Sequence, residues 1–190
     1  AWAHDRFRTV GRDLHLPPEG PARAAVVLHP HPAMGGDRHH PLVIAVAEGL
    51  AAEGVAALRI DLPDPDVVAS AAALELVAAD LLDEVGADRV VLVGYSWGAA
   101  VSALANPGSL AARVLVAPPV SIIDVIAPGG EPTLVLVPAH DQYGPPDAVR
   151  RTTDEWPSTT MEVVEGIDHF LVGAIAKISA RTATWVTAQL

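Results

Sequence analysis

Six short apolar runs recur along the chain, at residues 24–28, 55–60, 89–93, 113–116, 133–137 and 161–164. They are rich in Val, Leu and Ala, and mostly continuous instead of alternating. A strand with one face in water alternates apolar and polar residues. Continuous runs of this length therefore predict strands buried on both faces, as in a parallel sheet.

Helical stretches separate these runs. Residues 41–53 begin with Pro41 and stop before Gly54. Residues 67–85 are Ala/Leu-rich and end at Gly86, and residues 97–105 stop before Asn106-Pro107. Residues 146–156 and 170–190 complete the set, and residues 7–16 could add an antiparallel strand at the start. Pro in a first helical turn and Gly just past the last turn are the expected punctuation. Strand and helix alternate throughout, which predicts a three-layer α/β sandwich around a mostly parallel sheet of about six or seven strands. In such sheets ligands bind beyond the carboxyl ends of the strands, so polar residues just after each strand are where chemistry belongs.

Composition narrows the function classes. The 190 residues suit one domain spanning 1–190, and no repeat or linker divides them. A hydrophobic share of 51% argues against disorder. The absence of cysteine removes disulfides, thiolate metal sites and a cysteine nucleophile. Twelve basic against twenty-three acidic residues give a net charge of −11, the wrong sign for a nucleic-acid or anionic-membrane binder. No apolar run approaches the roughly 18 residues of a membrane span, and residues 1–6 do not read as a signal peptide. The expectation is a soluble, cytoplasmic protein with a small-molecule partner, no nucleic-acid or membrane partner, and an oligomeric state left open.

The run 89–93 leads into Gly94-Tyr95-Ser96-Trp97-Gly98, followed by Ala99 and Ala100. This is the G-x-S-x-G arrangement, here at a strand-to-helix junction. A serine on such a turn has a strained backbone, small neighbours that let helix and strand pass closely, and helix N–H groups beside its hydroxyl. Ser96 is the candidate nucleophile.

Serine needs a base and an orienting carboxylate, in the chain order Ser, Asp or Glu, His. Two histidines follow Ser96. His169, in Gly166-Ile167-Asp168-His169-Phe170 after the last strand, is the better base, and His140 is read as a bystander. Asp141 directly follows the run 133–137 and is the preferred acid. Its rivals are Asp124, in an Ile-rich turn near the pocket, and Asp168, whose adjacency to His169 is poor for orienting it.

A tetrahedral oxyanion needs two backbone N–H donors. Trp97 supplies one by position. The other should come from His29-Pro30-His31-Pro32-Ala33-Met34-Gly35-Gly36, where the prolines cannot donate and His31 is the best-placed amide. The same loop offers a competing metal reading through His29, His31, Asp37, His39 and His40. Five residues separate His31 from Asp37, which breaks the spacing of metallo-hydrolases, so no metal and no cofactor is expected. His39 and His40 read as a solvated pair.

Four motifs in this order resemble the α/β-hydrolase superfamily, and more closely its small cap-less bacterial hydrolases related to dienelactone hydrolase. They are His29-Pro30-His31-Pro32 with Gly35-Gly36, Gly94-Tyr95-Ser96-Trp97-Gly98-Ala99, Asp141-Gln142, and Asp168-His169-Phe170. The resemblance implies an α/β-hydrolase fold without a substantial lid and a Ser96, Asp141, His169 triad. Such relatives usually carry Arg-Gly-x-Gly-x-Ser after the second strand, where this chain has Asp61-Leu62-Pro63-Asp64-Pro65-Asp66. The expected function is hydrolysis of a small or exposed acyl ester through an acyl-enzyme, with Met34, Trp97, Tyr143 and Phe170 as pocket walls. A catalytically silent binding module, or an acyltransferase or peptidase with the same triad, remains open from sequence.

Overall fold

The computed structural model describes residues 11–20, 23–62, 65–126 and 129–189. Among them, seven strands form one sheet in the order β1-β3-β2-β4-β5-β6-β7. The strands are β1 (Arg12–His15), β2 (Ala24–Leu28), β3 (Ala56–Ile60), β4 (Val90–Tyr95), β5 (Leu110–Val116), β6 (Thr133–His140) and β7 (Thr159–Asp168). Only the edge strand β1 is antiparallel, paired to β3, and every other neighbouring pair is parallel. The expected N-terminal strand therefore exists at Arg12–His15, and residues 7–10 of that reading lie outside the described residues. Leu16 falls outside the strand.

Among the described residues, five α-helices cover the sheet: α1 (Pro41–Ala52), α2 (Val67–Val85), α3 (Trp97–Leu104), α4 (Pro146–Thr153) and α5 (Ile175–Gln189). The continuous apolar runs have a simple physical origin here. Ala25, Val27, Val91 and Val93 pack with Leu42, Val46 and Leu50 of α1 and Ile178 and Val186 of α5. Their neighbours Ala24, Val26, Leu28, Val90 and Leu92 point the other way, onto Leu74, Ala78 and Leu81 of α2 and Val101 of α3. Every residue of β2, β3, β4 and β5 is buried, because helices lie on both faces.

Helix ends follow local chemistry. Asp66 Oδ1 accepts from the Ala69 N–H at 2.8 Å at the start of α2, and the same helix stops where Gly86 takes φ 68°. The guanidinium of Arg113, 1% exposed, donates to the carbonyls of Ser102 (2.9 Å) and Ala105 (2.6 Å) at the end of α3 and pairs with Glu131 at 2.8 Å.

Several boundaries differ from the sequence reading. β5 begins at Leu110, three residues before the run 113–116, and β7 extends from Thr159 to Asp168, beyond the run 161–164. The last helix begins at Ile175, not Phe170, because Leu171 (φ 59°) and Gly173 (φ 79°) take left-handed conformations that helical backbone cannot. Residues 117–132, between β5 and β6, carry no helix or strand among the described residues, so no lid domain stands over the carboxyl edge of the sheet.

Candidate active site

β4 runs through Tyr95, so Ser96 follows the strand without a spacer and precedes the first turn of α3. Its backbone sits at φ 55° and ψ −118°, a conformation that costs a non-glycine residue on the order of 1–3 kcal/mol. Three bonds hold it there: the Ser96 N–H donates to the Val116 carbonyl at 2.8 Å, and its own carbonyl accepts from the N–H groups of Ala99 (2.9 Å) and Ala100 (3.4 Å). Glycine is required on both sides. A Cβ on Gly94 would lie 2.1 Å from the Gly98 carbonyl oxygen, and one on Gly98 would lie 2.6 Å from the His29 carbonyl oxygen. The strand, the turn and the β2 loop approach more closely than any side chain permits.

Three separate segments converge on Ser96. Its Oγ lies 2.8 Å from His169 Nε2, and His169 Nδ1 lies 2.8 Å from Asp141 Oδ2 and 3.0 Å from Oδ1. All three side chains are buried, at 8%, 5% and 3% exposure for Ser96, His169 and Asp141. With Nδ1–H donated to the carboxylate, a neutral ring presents Nε2 as an acceptor to the serine hydroxyl. The carboxylate is itself fixed: Asp141 Oδ1 accepts the N–H groups of Tyr143 (2.8 Å) and Gly144 (2.9 Å).

Neither rival acid competes. Asp124 is exposed in the 117–132 connection, and Asp168 Oδ1 accepts the Phe170 N–H at 3.0 Å. His140 is exposed at the end of β6.

Above Ser96 opens a cleft of about 390 Å³, bordered by His31, Met34, Trp97, Tyr143 and Phe170, all named from sequence. Trp97 is the first residue of α3, whose N–H has no acceptor within its own helix. The His31 ring sits edge-on to the Trp97 ring at 5.6 Å between centroids. His40, Tyr95, Pro119, Ile122 and Ile123 also line the cleft and were not singled out as pocket residues. The Ile-rich segment after β5 was the available signal for two of them.

His40 corrects the solvated-pair reading. It is half-buried, its ring stands 5.2 Å from that of Tyr95, and its Nδ1 accepts the Leu42 N–H at 3.2 Å to start α1. His39 alone is exposed. The other loop histidines are occupied in the same way. His31 Nδ1 accepts the Ala33 N–H at 3.1 Å. Buried His29 donates from Nδ1 to the Pro30 carbonyl at 2.7 Å and accepts the Leu62 N–H on Nε2 at 2.9 Å. His29 thus ties the histidine–proline loop to the segment after β3. In that segment Asp61 pairs with Arg38, while Pro63 and Asp64 lie outside the described residues.

Tyr95 holds His169 in place. Its phenol donates to the His169 carbonyl at 2.8 Å, a bond that no sequence pattern announces. Burial, with the charges of Asp141 and Asp168, pushes the Tyr95 pKa well above its ordinary value, so the phenol stays a donor.

The fold has many counterparts among solved structures. A protein from Xanthomonas campestris, described as an α/β serine hydrolase without a lid, superposes with a TM-score of 0.82 at 22% identity, covering 95% of this chain and 89% of that one. Dienelactone hydrolase from Anabaena variabilis gives 0.79 at 20% identity, covering 95% and 92%. Est1E from Butyrivibrio proteoclasticus, with ferulic acid bound, gives 0.81 at 14% identity, covering 95% of both chains. No curated protein matched in sequence. The profile of the family described as "Alpha/beta hydrolase family" matches residues 13–189, nearly the full length, and the chain belongs to that family.

Proposed function

We propose that the protein is a serine hydrolase that cleaves a small or exposed acyl ester through an acyl-enzyme. The observation that carries this reading is the unbroken Ser96–His169–Asp141 relay, 2.8 Å at each link, at the floor of an open cleft. A silent relative would have no need to keep three buried polar side chains in that register on a strained turn.

In this reading Ser96 Oγ forms a bond to the ester carbonyl carbon as its proton passes to His169 Nε2. The carbonyl oxygen becomes an oxyanion held by the backbone N–H groups of Trp97 and His31. Asp141 keeps the imidazole in the right tautomer and stabilises the imidazolium. Collapse breaks the bond to the alcohol oxygen, which leaves with the proton from His169. Water then gives a proton to His169 and attacks the acyl carbon. Collapse breaks the bond between the acyl carbon and Ser96 Oγ, which takes the proton back from His169, and the acid departs.

With no helix or strand among the described residues of 117–132, the cleft suits acyl groups that enter from solvent better than long chains needing a covered tunnel. The test is turnover of a 4-nitrophenyl ester by the parent and by Ser96→Ala. The variant should lose at least about 10⁴-fold in kcat/KM. Parent-like turnover by the variant overturns the reading.

A further inference from the structure

The walls of the cleft carry information about what enters it. Met34, Ile122 and Phe170 line its mouth together while 71%, 65% and 51% exposed, and apolar side chains grouped around a cleft suit contact with an apolar ligand. Among the described residues, no Lys, Arg, Asp or Glu side chain lines the cleft. The segments that supply the lining carry exposed Asp37, Asp124 and Asp168. The basic residue in those segments, Arg38, is committed to Asp13 (2.9 Å) and to Asp61.

The lining histidines are engaged locally: His31 and His40 each accept a backbone N–H on Nδ1, and burial lowers the pKa of His40. His169 already faces the Asp141 carboxylate. An anionic acyl chain would shed water in this cleft and find no counter-charge among the described residues, after approaching a chain of net charge −11. An apolar chain would meet only favourable burial.

We propose that the Ser96 cleft selects uncharged esters with an apolar acyl chain and rejects esters whose acyl chain ends in a carboxylate. This specificity presupposes the hydrolase reading above. The experiment compares 4-nitrophenyl hexanoate, the mono-4-nitrophenyl ester of adipic acid, and the methyl ester of that adipate, each corrected for the rate with Ser96→Ala. Adipate should fall at least about tenfold below hexanoate in kcat/KM, its uncharged methyl ester should lie close to hexanoate, and high salt should narrow the adipate gap. Met34→Arg, at an exposed position that tolerates the change, should narrow the gap by at least about threefold. Adipate turned over within about twofold of hexanoate, or a gap untouched by Met34→Arg, overturns the specificity while leaving the hydrolase reading standing. Loss of turnover on all three esters with no fluorophosphonate labelling of Ser96 overturns both.

Discussion

The phenol of Tyr95 donates to the backbone carbonyl of His169 across 2.8 Å, so the residue before the candidate nucleophile anchors the residue that faces it. Both groups are buried, and the bond crosses from the end of β4 to the first residue after β7. Tyr95 touches no reacting atom in the proposed chemistry and acts by fixing where the imidazole stands.

Removing that hydroxyl in Tyr95→Phe leaves a buried carbonyl without its donor. The variant should lose about 1–3 kcal/mol of stability in urea unfolding. Its kcat on a small ester should fall about tenfold with KM nearly unchanged, because small misplacements of a reacting group are costly. A kcat equal to that of the parent would show that the imidazole is held by other contacts alone.

Asp141→Asn tests the tautomer. Asp141 Oδ1 serves two turn amides, so the amide oxygen of Asn would stay there and its NH₂ would face His169 Nδ1. The ring would then carry its proton on Nε2 and could no longer accept from Ser96. Turnover should drop by roughly 10⁴-fold with circular dichroism and melting temperature little changed. Activity within about tenfold of the parent would contradict the role given to Asp141.

Histidine burial sets an acid limit on stability. His15, His29 and His40 all have pKa values lowered from the ordinary 6.5, chiefly by burial. Below 6.5 the unfolded chain takes up protons that these sites refuse in the folded state. Their contribution is therefore intact above 6.5 and is lost as pH falls toward the lowered folded values. The urea midpoint should drop between about pH 7.5 and about pH 5.5, and His29→Gln should flatten part of that slope. A midpoint that rises on acidification would refute this assignment.

Sequence alone made the sheet legible because the buried faces of β2 to β6 are written in continuous Val, Leu and Ala. It missed the first three residues of β5, where Leu110-Ala111-Ala112 carry little β-branched signal and pair with β4 across a register irregularity at Val90/Val91. The C-terminal end of β7 was hidden by Gly166, which takes φ 78° within the strand where a turn would be expected. Phe170, Leu171 and Val172 read as the apolar start of a helix, yet left-handed backbone at Leu171 and Gly173 delays α5 by five residues.

At the site, Ser96, Asp141 and His169 were readable because each stands just past a strand at the same sheet edge. His40 and Tyr95 were not. One imidazole can cap a helix or sit in water with the same sequence around it, and a side-chain bond to a backbone carbonyl 74 residues away leaves no local pattern.

The decisive measurement is covalent labelling of the purified protein with a fluorophosphonate, followed by peptide mass mapping. A single adduct on Ser96, lost in Ser96→Ala and strongly slowed in Asp141→Asn, is the expected result. No adduct, or modification of another hydroxyl with Ser96 untouched, would mean that the buried relay does not activate this serine.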